Sequence, residues 1–174
     1  MSPAERPDPT GHRIVRAGAE RLDEVRALWL ALRDHHHAGD PSVGPMRGDE
    51  DAWAVARPML AGYLAQDGAF LLLAEREDGD GLDGFALVTV QGPMATWAVD
   101  RFGFLEILSV APAARGLGLG SRLLAAVEAE LAPLGIDALE LSVMAGNVGA
   151  QAFYRALGFE VSGLEMTRRF GRRG

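Results

Sequence analysis

Residues 110–121 read Val110-Ala111-Pro112-Ala113-Ala114-Arg115-Gly116-Leu117-Gly118-Leu119-Gly120-Ser121. The run before them, Phe104-Leu105-Glu106-Ile107-Leu108-Ser109-Val110, is a short, nearly continuous apolar stretch of strand type. After them Leu119, Leu123, Val127 and Leu131 recur in i, i+4 register, the spacing of an amphipathic helix that Pro133 and Gly135 end. The turn therefore joins a strand to a helix N-terminus. Glycines at 116, 118 and 120 let the backbone turn tightly and approach a ligand without a Cβ in the way. The first helical N–H groups lack intrahelical partners and sit at the positive end of the helix dipole, so such a turn suits phosphate or pyrophosphate. A glycine-rich connection that merely packs a helix on a strand is the other reading.

The dinucleotide fingerprint G-x-G-x-x-G fails here, because Ser121 stands where its third glycine belongs. The pattern that fits is R-x-x-G-x-G, at Arg115, Gly118 and Gly120. Leu108-Ser109-Val110 followed by Pro112 forms the entry to it. Downstream, Asn147 is followed by Ala150, Phe153, Tyr154 and Leu157-Gly158-Phe159, an A-x-x-F-Y-x-x-x-G-F block. In these two blocks, and in their spacing, residues 104–160 resemble the GNAT superfamily of N-acetyltransferases, whereas residues 1–100 agree only in the order of elements.

The resemblance implies a mixed α/β (α+β) fold: a mixed central sheet splayed between its fourth and fifth strands and flanked by helices. It implies acetyl-CoA as co-substrate, its pyrophosphate held by main-chain groups of Arg115, Gly116, Leu117, Gly118, Leu119, Gly120 and Ser121. Backbone groups of Leu108, Ser109 and Val110 would pair with the pantetheine arm as an added strand does. Asn147 would combine a cofactor contact with capping the helix that starts near Val148. Tyr154 matches the position of a general acid near the cofactor sulfur; from spacing alone it is a core tyrosine on the face of Ala150, Phe153 and Leu157. Glu106 is the expected base, since an unpaired carboxylate in an apolar strand suits proton transfer near neutrality. Strict alternation puts it on the face of Leu108 and Val110; a solvent-facing or arginine-paired Glu106 is the alternative. The implied activity is direct acetyl transfer to a primary amine in a ternary complex, the acceptor being a small molecule or a peptide. A non-catalytic acyl-CoA sensor of the same fold is the rival, and Glu106 with Tyr154 favours the enzyme. A generic nucleotide-phosphate binder would need an acidic base- or Mg²⁺-binding motif that the sequence does not show. Family members are often homodimers, on which the sequence itself is silent.

Composition agrees. The 174 residues are one domain's worth, and 48% apolar with 24% charged residues is ordinary for a globular chain. The expected organisation is a lead-in over residues 1–11 and one domain over 12–174. There is no cysteine, which removes disulfides, thiolate zinc sites and a cysteine nucleophile. All 17 basic residues are arginine, which excludes a P-loop lysine and a Schiff base and points to a GC-rich bacterial genome. A net charge of −7 argues against nucleic acid and suits a cationic substrate. No apolar run suggests a membrane span or signal peptide, so the expected location is the cytoplasm. His35, His36 and His37 lack metal-ligand spacing and read as an acceptor-lining or solvated loop; no metal is expected. Arg168, Arg169, Arg172 and Arg173 read as a solvated basic end.

Other expectations concern elements. They are a first strand at His12–Arg16, a helix from Glu20 to about Asp34, and a second helix around Trp53–Leu64 that Pro58 should start, split or kink. A hairpin of Phe70–Ala74 with Phe85–Val90, a strand over Leu139–Val143, and one or two terminal strands running to Phe170 complete them. The first two helices and the loops 34–49 and 92–100 should set the acceptor.

Overall fold

The computed structural model describes residues 11–39, 45–79, 81–93, 95 and 100–166. The arginine-rich end, Phe170 and most of the lead-in lie outside the described residues. Among those described, five strands and four α-helices follow in chain order: β1 (His12–Ala17), α1 (Arg26–Gly39), α2 (Asp49–Leu64), β2 (Phe70–Arg76), β3 (Leu82–Gln91), β4 (Phe102–Val110), α3 (Leu119–Leu131), β5 (Leu139–Leu141) and α4 (Val148–Ala156). A 3₁₀ segment, Ala19–Val25, leads into α1, so the first helix begins as a tighter coil than its spacing predicts.

The strands form one sheet in sequence order. The first four pair antiparallel and β4 pairs with β5 in parallel. The apolar runs in β2 and β3 are continuous because both faces of the sheet are covered. Phe70, Leu72, Ala74, Ala86 and Val88 pack with α3 on one face. Leu71, Leu73, Phe85 and Leu87 pack with α1 and α2 on the other.

Pro58 lies inside α2, which runs unbroken from Asp49 to Leu64, so it neither starts nor splits the helix. Its position is exposed, as is Ala54 one turn earlier, so the carbonyl deprived of an N–H faces water. Asp49, Glu50 and Asp51 in the first turn favour this helix electrostatically.

Two details of β4 shape everything that follows. Its register against β3 steps from Leu87↔Ile107 to Val88↔Leu105, leaving Glu106 as the extra residue of a bulge. Its pairing with β5 spans only Gly103 to Leu105. Beyond the bulge β4 and β5 diverge, which is why β5 stops at Leu141 short of Val143. The sheet is thus splayed between its fourth and fifth strands.

The expected terminal strands are absent from residues 159–166, which have no strand partner among the described residues. Their alternation suits a strand, but Val161, Leu164 and Met166 are 67%, 88% and 90% exposed. Alternation alone does not make a strand, which needs a neighbouring strand to pair with.

Candidate active site

The divergence of β4 from β5 opens a groove of about 860 Å³. One wall is Leu108–Val110 on β4, and the floor is the glycine turn entering α3. The far wall is the segment Met144–Asn147 with α4. Gln151 holds that wall in place, its Nε2 donating to the carbonyls of Met144 and Ala145 at 3.1 and 2.9 Å.

The glycine turn leaves main-chain donors open at the N-terminus of α3. Gly118 is the N-cap of α3 with φ +83°, and no side chain caps the helix. The N–H groups of the first turn therefore point outward unanswered by a cap. Gly116 also has positive φ (+77°), and a Cβ at either glycine would meet open space. Conformation rather than crowding requires glycine at both. Gly120 differs, since a Cβ there would come 3.2 Å from Phe153 of α4. That glycine lets α3 and α4 close on each other. Arg115 turns back, its Nε donating to the Val110 carbonyl at 3.2 Å, so its side chain fastens the end of β4 to the turn.

Leu108 and Val110 send their side chains into the core beside α3, leaving main chain to face the groove. Ser109 points the other way, its hydroxyl donating to the Leu28 carbonyl of α1 at 3.1 Å. Asn147 accepts the Ala150 N–H at 3.1 Å and caps α4 while lining the groove.

Tyr154 both packs against the core and lines the groove. Its ring packs edge-on against Phe153 and Phe159, with centroids 5.2 and 5.5 Å away, and it also lines the groove. The end of α4 fixes it. Gly158 takes φ +90°, the Gly158 N–H bonds the Arg155 carbonyl, and the Phe159 N–H bonds the Tyr154 carbonyl. These are the paired bonds of a Schellman stop, and the Tyr154–Phe159 contact is its apolar clasp. Burial pushes the Tyr154 hydroxyl up to about 12, so the phenol keeps its proton throughout the ordinary pH range.

Glu106 is placed differently from its sequence reading. The bulge breaks the alternation, so Glu106 and Ile107 both line a second cavity of about 280 Å³ between β4 and helices α1 and α2. Glu106 does not share the face of Leu108 and Val110, which pack toward α3. Thr89 Oγ1 donates to Glu106 Oε1 at 2.7 Å, so its contact is a neutral hydroxyl. Trp29, Arg33, Met59 and Tyr63 complete the walls, with Leu32 and His36 belonging to both this cavity and the groove. The two spaces meet at Leu32 and His36. The histidines lie in the last turns of α1 rather than in a loop, with His35 and His36 facing the groove. Burial, and secondarily the neighbouring His35, lowers the pKa of His36, which favours a neutral imidazole. Leu117, by contrast, is 57% exposed and outside the groove lining.

Helical spacing marked Trp29 and Leu32 as core positions, and nothing in the sequence showed that they, with Arg33, Met59 and Tyr63, wall a second cavity. Such a cavity arises from two helices crossing a bulged strand, and no local pattern reports that.

The groove, the uncapped helix N-terminus and the side cavity lie together on a splayed sheet. Residues 20–159 match the model of the Acetyltransferase (GNAT) family, and the chain belongs to that family. A mycothiol acetyltransferase of Clavibacter michiganensis subsp. michiganensis is 36% identical over 166 residues, covering 95% of this chain and 48% of that protein. The chain spans about half the length of the curated relatives it matches. Among solved structures, a tetramutant Bacillus halodurans protein superposes with a TM-score of 0.77 at 18% identity, covering 91% of this chain and 99% of that one. An aminoglycoside N-acetyltransferase in complex with CoA superposes with a TM-score of 0.63 at 22% identity, covering 91% and 99%. At these identities the structural likenesses establish the fold.

Proposed function

We propose that this chain is an N-acetyltransferase that moves the acetyl group of acetyl-CoA to a primary amine by direct attack in a ternary complex. The observation that carries the reading is the meeting of the two spaces: a groove with an anion cradle and Tyr154, and a side chamber holding Glu106. The relative named for mycothiol acetylation and the neighbour named for aminoglycosides support a small-molecule acceptor.

The groove's residues fit the co-substrate. Open backbone at Gly116 and Gly118 and the unanswered N–H groups of α3 suit its pyrophosphate. The end of β4, left without a β5 partner, suits the amide-bearing arm. When bound, acetyl-CoA supplies the thioester carbonyl that the amine attacks. Glu106, directly or through a water, takes the proton that the amine must lose. Tyr154 gives its proton to the departing sulfur as the C–S bond breaks, and the product is an amide with free CoA. With no cysteine in the chain, no covalent thiol carrier intervenes.

Titration calorimetry with CoA tests the cradle, and thiol release from acetyl-CoA in the presence of amines tests the chemistry. Tight CoA binding with no amine-dependent thiol release would favour a sensing module instead.

A further inference from the structure

The side cavity has a chemistry of its own. Its walls are mainly Trp29, Met59, Tyr63 and Ile107, with Glu106 as the carboxylate and Arg33 as the cation. Trp29 is braced by Trp53 (centroids 5.8 Å apart, 58° between planes), so the apolar wall is a fixed surface. Met59 is 47% exposed at the protein surface, a large apolar side chain with nothing to cover it. Arg33 gives one Nη2 to Asp34 and Asp49 at 2.6 and 2.8 Å, while its Nη1 is buried without a partner. At about 280 Å³ the cavity is at the small end of ligand pockets.

We infer that the acceptor is a compact amine on an aromatic or branched apolar body, and that Trp29 and Met59 select it against polycationic aminosugars. The inference rests on the acetyl-transfer reading above and names the substrate class of that same site. One ammonium finds Glu106, the apolar body lies along Trp29 and Tyr63, and Met59 closes over it. A polyamine sugar would bring hydroxyls and further cations to those apolar walls. Both leave polar groups desolvated without partners.

The test compares kcat/KM for 2-phenylethylamine and 3-methylbutylamine with that for kanamycin, by thiol release at saturating acetyl-CoA. The compact amines should be preferred by tenfold or more. Met59→Ala, a surface change that spares the core, should raise KM for 2-phenylethylamine about fivefold with kcat and the acetyl-CoA KM unchanged. Met59→Glu should shift the preference toward kanamycin by adding a carboxylate at the rim. Kanamycin used as well as or better than the compact amines would overturn the inference and leave acetyl transfer to amines standing. An unchanged KM in Met59→Ala would likewise remove Met59 from selection and overturn the assignment of this cavity. Intact CoA binding with no amine-dependent thiol release would overturn the catalytic reading and the inference with it.

Discussion

Tyr154 owes its usefulness to two neighbours and a helix stop. Phe153 and Phe159 hold the ring, and the Schellman bonds set where α4 ends. Tyr154→Phe keeps the ring and deletes the proton donor. It should lower kcat by about 100-fold while leaving CoA affinity intact. Titration calorimetry beside steady-state rates separates the two effects, and a collapse of affinity with normal turnover would make the residue purely structural. The pH profile carries the same logic. Burial disfavours the phenolate and moves its ionisation up to about 12, so the acid form persists as pH rises. The wild-type kcat profile should therefore show no descending limb below about pH 10, where an ordinary tyrosine would already ionise. Glu106 faces the side cavity and is held by Thr89. Glu106→Gln can still accept the Thr89 hydroxyl but cannot take the amine's proton. Turnover at limiting amine should fall about 100-fold near neutrality and partly recover at alkaline pH, where more amine is already neutral. Parallel profiles of equal height would remove Glu106 from proton transfer.

At the scale of elements, the α3 N-terminus is the feature most open to test. Gly118 sits at φ +83° in open space, so a side chain there strains the backbone by about 1–2 kcal/mol without displacing the core. Gly118→Val should remain folded by circular dichroism and lose CoA binding by tenfold or more, because the cradle's N–H groups no longer converge. Gly120 is less clean, since its substituent would push Phe153 of α4 and disturb the fold as well. Asn147→Ala should cost about 1 kcal/mol of stability by removing the cap on α4, read as a fall in the urea midpoint. The sequence disclosed these elements well wherever a local rule governs them. Arg115–Ser121 and Asn147–Phe159 carry their turn, cap and stop residues in plain order. The hairpin of β2 and β3 was legible from two apolar runs around a glycine-rich turn. What stayed hidden depends on partners far away in the chain. The orientation of Glu106 follows from an extra residue opposite β3, which a strict alternation cannot register. The expected terminal strands do not form over the described residues 159–166, and Pro58 was tolerated because its side of α2 faces water. The side cavity required α1, α2 and β4 to be brought together before any of its residues meant anything.

The whole molecule is tied across its N-terminal edge by charge as well as by packing. Glu75 on β2 receives Arg13 of β1 at 2.7 Å and Arg21 of the 3₁₀ segment at 2.7 Å, and Arg21 also grips Glu24 at 2.6 Å. One strand, its neighbour and the approach to α1 are thereby joined through a single carboxylate whose side chain is 18% exposed. The Arg13 guanidinium, then that of Arg21, holds the Glu75 carboxyl below its ordinary 4.5, and Arg21 does the same for Glu24. A carboxyl with a depressed folded-state pKa contributes stability that is fully present above the unfolded value. That contribution is lost as pH falls through 4.5 toward the folded value, because the unfolded chain then binds the proton first. Tm should accordingly be flat from about pH 7 down to about pH 5.5 with respect to this cluster and fall steeply below about pH 4.5. Glu75→Gln removes the charge but keeps the shape. It should lower Tm at pH 7 by about 2–4 °C, the equivalent of about 1 kcal/mol for a chain of this size with two arginines partly in solvent. Below about pH 4 the variant and the wild type should converge, since protonated Glu75 is no longer a charged partner. The measurement is a pair of thermal melts across that range. A deficit that persists undiminished at pH 3.5 would assign the loss to packing around Glu75 rather than to its charge.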